Sequence, residues 1–340
     1  MSNVEPDESS YEEKYNLLRR RRLFRQISSL LLLFGIVALT VLGLRYIEFN
    51  PGDLWRQRGA FTQFLGNFFP PNFREFTLYT KQNDINGPKA ITRSFRNFGA
   101  PIVETLTSDQ PAAQTTLVRM SLVTLILGFT GTVIGFPLAL LFGVLGSERV
   151  TPFPFNFIFR GTMSAIRSIP ALVWIFIYIP LAGINPVGAV LAISTDTVGN
   201  MGRLFTDELE EIEEGPIEAI KSTGASRTQV VTFGMLSQVS TSFIAWALYV
   251  LEINVRIAIG LGVVGAGGIG RYITLRKDLF AYQEMAAGIV MVFFIVISVE
   301  IISSRIRARL RPSEHDSRGL LEVIKGLGDV NRWLGREPKN

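Results

Sequence analysis

The stretch Gly215-Pro216-Ile217-Glu218-Ala219-Ile220-Lys221-Ser222-Thr223-Gly224-Ala225-Ser226-Arg227, continuing through Gly234-Met235-Leu236-Ser237-Gln238-Val239, is polar and helix-prone, and it lies between two apolar runs. Pro216 suits the first turn of a helix, and Glu218 suits the positive N-terminal end of its dipole. Gly224 breaks that helix and Ala225-Ser226 starts another. Asp207, Glu208, Glu210, Glu211, Glu213 and Glu214 come just before and keep the segment in water. A short helix-turn-helix between membrane runs is a handle that a soluble partner can grip.

Working outward, the runs on either side set the fold class. The chain has 340 residues, 48% of them hydrophobic and 19% charged, and the apolar ones are bunched. The first run, Ile27 to Leu44, carries no charge and extends about 27 Å as a helix, close to a bilayer core. Similar runs cover Leu117–Leu145, Phe157–Ala182, Asn185–Phe205, Val239–Gly262 and Met285–Ile302. The expectation is an all-α membrane protein of about six transmembrane helices, with a cytoplasmic coupling loop over 207–238.

Charge orients it. Lys14, Arg19, Arg20, Arg21, Arg22 and Arg25 precede the first run, and Arg305, Arg307, Arg309 and Arg311 follow the last. Basic residues flank spans on the cytoplasmic side, and an even span count puts both basic ends there, together with the 207–238 loop. Arg21-Arg22-Leu23-Phe24 also resembles a twin-arginine export signal. No small-x-small cleavage site follows it, so it reads as the start of an uncleaved first helix. The expected organisation is a basic cytoplasmic tail over 1–26, a first span over 27–44, an external segment over 45–115, a transmembrane domain over 116–311 and a cytoplasmic tail over 312–340. Within the external segment, Leu54 to Phe69 is aromatic-rich and fits a surface helix ended by Phe68-Phe69-Pro70-Pro71, while Thr77–Gly99 reads as polar loop. In the last tail, Leu320, Leu321, Val323, Ile324, Leu327, Val330 and Leu334 recur at near-helical spacing and fit either an amphipathic helix on the membrane or on a partner, or a plain surface helix.

Several chemistries are excluded. The chain has no cysteine and a single histidine, His315 in a polar tail, which removes disulfides, thiol catalysis, cysteine metal sites and a histidine triad. No G-x-x-x-x-G-K-[ST] segment cradles a nucleotide phosphate. The net charge of +5 comes from basic residues beside spans, which sets topology and does not point to nucleic acid.

The handle resembles the Glu-Ala-Ala ("EAA") loop of the membrane subunits of bacterial ATP-binding cassette (ABC) importers. Glu218-Ala219-Ile220, Gly224 and Leu236 stand at its positions, with Ile220 in place of the second alanine and Ser237 in place of the closing proline. That loss predicts a softer start to the fifth span. The resemblance covers most of residues 50–311 and is closest to the permease subunit of phosphonate importers. It is carried by Phe68-Phe69-Pro70-Pro71-Asn72-Phe73, Ile166-Arg167-Ser168-Ile169-Pro170, Ala247 to Arg256, and Leu261 to Gly270. Asp196 departs from the family, which tends to carry histidine there.

The resemblance implies a type I importer permease in a prokaryotic inner membrane, with two permeases, identical or homologous, in the core. It implies two cytoplasmic ATP-binding subunits that hold ATP and magnesium, an external substrate-binding protein, and no cofactor or metal in this chain. Glu218, Ala219, Thr223, Gly224, Ser226 and Arg227 would form the ATPase contact. The cargo would be phosphonate, phosphite or phosphate.

Two further patterns bear on the pathway. Gly260 to Gly270 fits G-x-G-x-x-G twice, but a dinucleotide loop needs a strand before it, whereas here a span precedes. Gly265, Gly267, Gly268 and Gly270 therefore read as the end of that span, packed closely or hinged near an external gate. Charges inside spans are costly and face cavities or partners. Arg167, Asp196, Glu252, Arg256 and Glu300 are such charges. Glu252 and Arg256 stand four apart in the order that favours an ion pair. Arg256, with Asn254 or Arg167, is the candidate to pass an oxyanion, since an arginine fork suits phosphonate oxygens. Glu300 is expected at the cytoplasmic interface. An ATP-independent channel or carrier for a small anion is the alternative, and a membrane-embedded enzyme lacks the clustered acid, base or nucleophile it needs.

Overall fold

The structure is a computed structural model, and it describes residues 8–96 and 99–310, with side chains from residue 20 onward. The amphipathic stretch expected over residues 320–334 lies outside the described residues. Among the described residues the regular structure is helical throughout. The chain divides into two units, Met1–Gly66 and Asn67–Asn340.

The first unit is carried by α1 (Glu8–Tyr46), whose portion Arg20–Tyr46 is long and apolar enough to cross a membrane. Leu31, Leu32, Phe34 and Leu39 are all exposed, so this helix has an apolar surface that suits lipid. Then come α2 (Pro51–Arg56), capped by the Asn50 side chain accepting from the Gly52 amide, and α3 (Arg58–Phe68). Neither buries a residue. The aromatic-rich stretch is thus two short surface helices, and it ends at Phe68 as the Phe-Phe-Pro-Pro run predicts.

The second unit opens with α4 (Leu78–Gln82), α5 (Lys89–Ser94), α6 (Ala100–Thr107) and α7 (Pro111–Gln114). The loop expected over 77–99 is corrected here, because α4 and α5 occupy part of it. Its polar residues satisfy each other instead of water. Thr77, Thr80, Ser94 and Thr105 are all fully buried. Thr77 and Thr80 form a reciprocal cap, Thr77 and Ser94 hydroxyls lie 3.0 Å apart, and Thr105 Oγ1 accepts from the Leu78 amide. Hydrogen-bonded hydroxyls can be buried at little cost.

The bundle follows. It comprises α8 (Leu117–Gly146), α9 (Phe155–Ser168), α10 (Ala171–Ile177), α11 (Ile179–Ala182), α12 (Pro186–Glu210), α13 (Glu214–Ser222) and α14 (Arg227–Gln229). A π-helical turn, Val230–Met235, leads into α15 (Leu236–Leu261), and a second, Gly262–Ala266, ends it before α16 (Gly268–Asp278) and α17 (Tyr282–Leu310).

Among the described residues four helices, not six, are long and apolar enough to span a membrane: Arg20–Tyr46, Leu117–Gly146, Arg227–Ala266 and Tyr282–Leu310. The two shortfalls have different causes. The run Phe157–Ala182 is broken at Ile169-Pro170. Proline lacks an amide and forces its predecessor to extended geometry, and Ile169 sits at φ −106°, ψ 115°. The run Asn185–Phe205 forms one continuous helix, α12, but Asp196, Arg203 and Asp207 make it polar. It can be polar because protein rather than lipid surrounds it. Ala189, Ala192, Ile193, Thr197, Met201, Phe205 and Leu209 of α12 are fully buried.

α12 lies closely against α8 through small residues. Gly131, Gly135, Ala139 and Gly143 recur every four residues along α8. A Cβ on Gly131 would meet Ile193 Cγ2 at 2.4 Å, and one on Gly143 would meet Phe205 Cβ at 2.7 Å. At this approach Ser194 Oγ donates to the Gly131 carbonyl at 3.1 Å and Thr206 Oγ1 to the Gly143 carbonyl at 2.9 Å. Small residues that let helices touch, with hydroxyls bonding across, are how helices associate where lipid supplies no hydrophobic drive. An apolar cluster at the other end of α12 joins Met201, Phe205 and Leu209 to Phe243 on α15, and to Ile217 and Val230 of the handle.

Candidate functional site

The handle is built as its sequence prescribes. α13 carries Glu214 in its first turn and Lys221 in its last, both matched to the helix dipole. Gly224 follows at φ +79°, a left-handed position that favours glycine. Ser226 then caps α14 in a capping box, its Oγ accepting from the Gln229 amide while Gln229 Oε1 accepts from the Ser226 amide. Ile217 and Val230 point into the apolar cluster, whereas Glu218, Ala219, Thr223, Gly224, Ser226 and Arg227 are all exposed. Those six residues therefore share one solvent-facing structure. A cleft of about 480 Å³ opens between Arg149, Glu218, Lys221 and Arg227, with Val230 and Met235 also in its lining.

Ser237 continues the helix. Its hydroxyl donates to the Phe233 carbonyl, and Gln238 Nε2 donates to the Gly234 carbonyl at 2.7 Å. The backbone runs helically from Arg227 to Val264, and the irregularity at the start of α15 takes the form of the π turn at Val230–Met235. Such turns widen the helix and leave carbonyls for side chains.

The candidate pathway residues fall into three places. Glu252 is buried and its partner Arg256 is half-exposed, paired at 2.5 Å. Arg256 also reaches Glu300 at 3.5 Å, and Arg307 reaches Glu252 at 3.5 Å. This network ties α15 to α17. Asn254 is fully buried and points elsewhere, its Nδ2 donating to Thr132 Oγ1 on α8 and Thr197 Oγ1 on α12, each at 2.8 Å. Asp196 accepts from Asn200 Nδ2 at 2.9 Å. Arg167 is exposed at the end of α9, with its backbone packed against Gly199 of α12, near enough for its charge to act on Asp196. The five residues turn to three different sets of neighbours.

The glycine run is a chain reversal. Gly265, Gly267 and Gly268 have φ of 106°, 112° and 70°. A Cβ on Gly270 would lie 2.0 Å from the Ile259 carbonyl oxygen. The Ile269 amide after the turn donates to Thr124 Oγ1 of α8 at 2.9 Å.

Sequence reasoning missed a buried ionic cluster beyond this turn. Glu75 pairs with Arg276 and with Lys81, the latter at 3.1 Å, and accepts from the Tyr272 hydroxyl at 3.0 Å. Burial, then the Glu75 charge, raise the Tyr272 pKa. Arg149, Arg160 and Arg307 also escaped it, since their partners are distant in sequence. The every-fourth small-residue stripe of α8 was legible and could have located the α8–α12 contact.

The fold and this geometry define an all-α membrane protein with an exposed handle between two of its long helices. Among the described residues no group of acids or histidines could hold a metal ion. The chain belongs to the family described as binding-protein-dependent transport system inner membrane component, whose profile matches residues 131–314. It is therefore an ABC-transporter permease subunit, a multi-pass inner-membrane protein and not an enzyme.

Among its relatives, the phosphite transport system permease protein PtxC of Stutzerimonas stutzeri is 31% identical over 57% of this chain and 71% of its own length. The phosphate-import permease protein PhnE of Mycolicibacterium smegmatis is 29% identical over 55% of this chain and 35% of its own. Alignments with the HtxC and HtxE permease proteins of Stutzerimonas stutzeri, at 33% identity, cover 61% and 58% of those proteins. The chain thus spans less than two thirds of their length. A solved inward-facing MetNI methionine ABC transporter has a chain that matches this fold with TM-score 0.52 and 24% identity, over 57% of this chain and 95% of that one.

Proposed function

We propose that this chain is the translocating subunit of an ATP-driven importer for a phosphorus oxyanion: phosphonate, phosphite or phosphate. The handle at 214–229 carries the reading. It is helical, exposed and rooted in the bundle through Ile217 and Val230, and in this reading it offers Glu218, Ala219, Thr223, Gly224 and Ser226 to a cytoplasmic ATPase. The names of the phosphite and phosphate permeases among its relatives support the cargo.

In this reading a second permease, identical or homologous, completes the path. Two ATP-binding subunits hold ATP and magnesium, and an external binding protein delivers the anion. Both termini lie in the cytoplasm. Closure of the ATPases pushes each handle and rocks the bundle between outward and inward states. Arg256 and Arg167 are the accessible cations for the anion, with Glu252 and Asp196 tempering their charge so that binding stays weak enough for release. Asn254 holds α15 in place beside them. The turn at Gly265, Gly267, Gly268 and Gly270 acts as the external gate.

Glu218→Ala tests the handle in membranes holding the assembled transporter. ATP-driven uptake should fall at least about tenfold, the effect of losing one charge-assisted contact. Wild-type uptake, or flux that follows an ion gradient without ATP, would sink the proposal and favour the channel or carrier.

A further inference from the structure

The α8–α9 loop, residues 147–154, is bound to the handle by arginines that all donate to backbone carbonyls. Arg227 Nη2, on the handle, donates to the Val150 carbonyl at 2.7 Å. In the opposite direction Arg149 Nη1, on the loop, donates to the Ile212 carbonyl just before α13, also at 2.7 Å. Behind them Arg160 of α9 donates through Nε to the Gly146 carbonyl at 2.7 Å and pairs with Glu210 at the end of α12. Glu210 Oε1 in turn accepts from the Glu148 amide at 3.2 Å.

The chemistry of this arrangement is specific. The last four carbonyls of a helix lack partners within it, so Gly146 is an available acceptor. A guanidinium presents five donors in a rigid fork. A carbonyl carries no sequence identity, so these bonds hold a backbone in place and do not select a partner. Two crossed bonds, one from each segment to the other, resist sliding in either direction, where a single bond would act as a pivot.

We infer that Arg149 and Arg227 are positioning residues forming a cross-brace, which makes loop 147–154 part of the coupling element. A push on α13 then reaches α8 and α9 through the loop as well as α15 through the helix. The role rests on the importer reading, but the brace itself does not. It also revises Arg227: its guanidinium faces the loop, so it shapes the ATPase contact indirectly.

The test has two stages with separate outcomes. First, amide hydrogen exchange is measured on the purified full chain and on Arg149→Ala and Arg227→Ala. Residues 147–154 and 212–229 should exchange at least about tenfold faster in both variants, as expected when a charge-assisted bond holding a surface segment is lost. Unchanged exchange in either segment would overturn the brace whether or not the chain transports anything.

Second, uptake per ATP hydrolysed is measured in the assembled transporter. Each variant should lower that ratio with the ATPase still co-purifying, and the double variant should be no worse than the singles, because both bonds serve one unit. The chain has no cysteine, so Val150→Cys with Arg227→Cys can be joined by a bifunctional thiol reagent of arginine length. The cross-linked protein should regain uptake. Arrest by the cross-link would show that loop and handle must slide, overturning the inference. Loss of ATPase binding in Arg227→Ala alone would return Arg227 to a direct contact. Absence of ATP-driven uptake in the wild type would instead overturn the importer reading and the coupling role built on it.

Discussion

At the residue scale the chain places its unusual chemistry where packing demands it. Tyr272 is the clearest case. It is 1% exposed, its hydroxyl donates to Glu75, and the Arg276 guanidinium lies 5.1 Å from its ring centroid. Burial first, and then Glu75, raise its pKa above the ordinary 10.0. A group whose folded pKa is raised stabilises fully below the unfolded value, and that stability is lost as pH rises through the folded one. The purified protein should therefore lose thermal stability above pH 10, and Tyr272→Phe should lose less over the same range. Parallel melting curves for the two proteins would contradict this. Tyr272 and Glu75 were not legible beforehand, because nothing in a local window joins positions so far apart. The capping of the handle was legible, because Gly224, Ser226 and Gln229 act on their own neighbours.

At the scale of elements, composition and connectivity give different answers. Phe157–Ala182 is apolar enough to look like a span, yet Pro170 divides α9 from α10, and a second break at Tyr178, just before Pro180, sets off α11. α12 looks like a span by length and fails by polarity, because it trades lipid contact for contact with α8. That contact depends on the glycine stripe. A Cβ at Gly135 would fall 2.7 Å from Thr197 Cβ and 2.8 Å from the Ser194 carbonyl, whereas nothing lies within 4 Å of a Cβ at Gly161. A leucine at 135 has no room to enter, and forced overpacking costs roughly 1–3 kcal/mol or more. It also parts the helices that carry the Ser194 and Thr206 hydrogen bonds. Gly135→Leu should give little monodisperse protein on size-exclusion chromatography, and Gly161→Leu should behave as wild type. Equal behaviour of the two would show that α8 and α12 tolerate separation. The pairing of Glu252 with Arg256 was readable from a four-residue spacing, but their links to Arg307 and Glu300 needed the fold.

At the scale of the whole second unit, α8 acts as a ruler. Its 30 residues extend about 45 Å, more than a bilayer core. At its start the Leu117 amide donates to the Glu75 carbonyl at 2.8 Å and the Val118 amide to the Phe76 carbonyl at 3.2 Å, which fixes Glu75 and Phe76 to that end. At its finish the Gly146 carbonyl accepts from Arg160, which belongs with the loop and the handle. An α8 that crosses a membrane puts Glu75 on one side and the handle on the other, whatever the total number of spans. Arg307 and Arg309 in the last turn of α17 favour the cytoplasm for the end where that helix finishes. Thr107 and Ser222 are both exposed, and no native cysteine competes with a label. A membrane-impermeant maleimide should therefore modify Thr107→Cys in right-side-out vesicles and Ser222→Cys only in inverted ones. Labelling of both from one side would mean that α8 does not cross. Labelling in the reverse order would put the handle outside the cell, beyond the reach of any cytoplasmic ATPase.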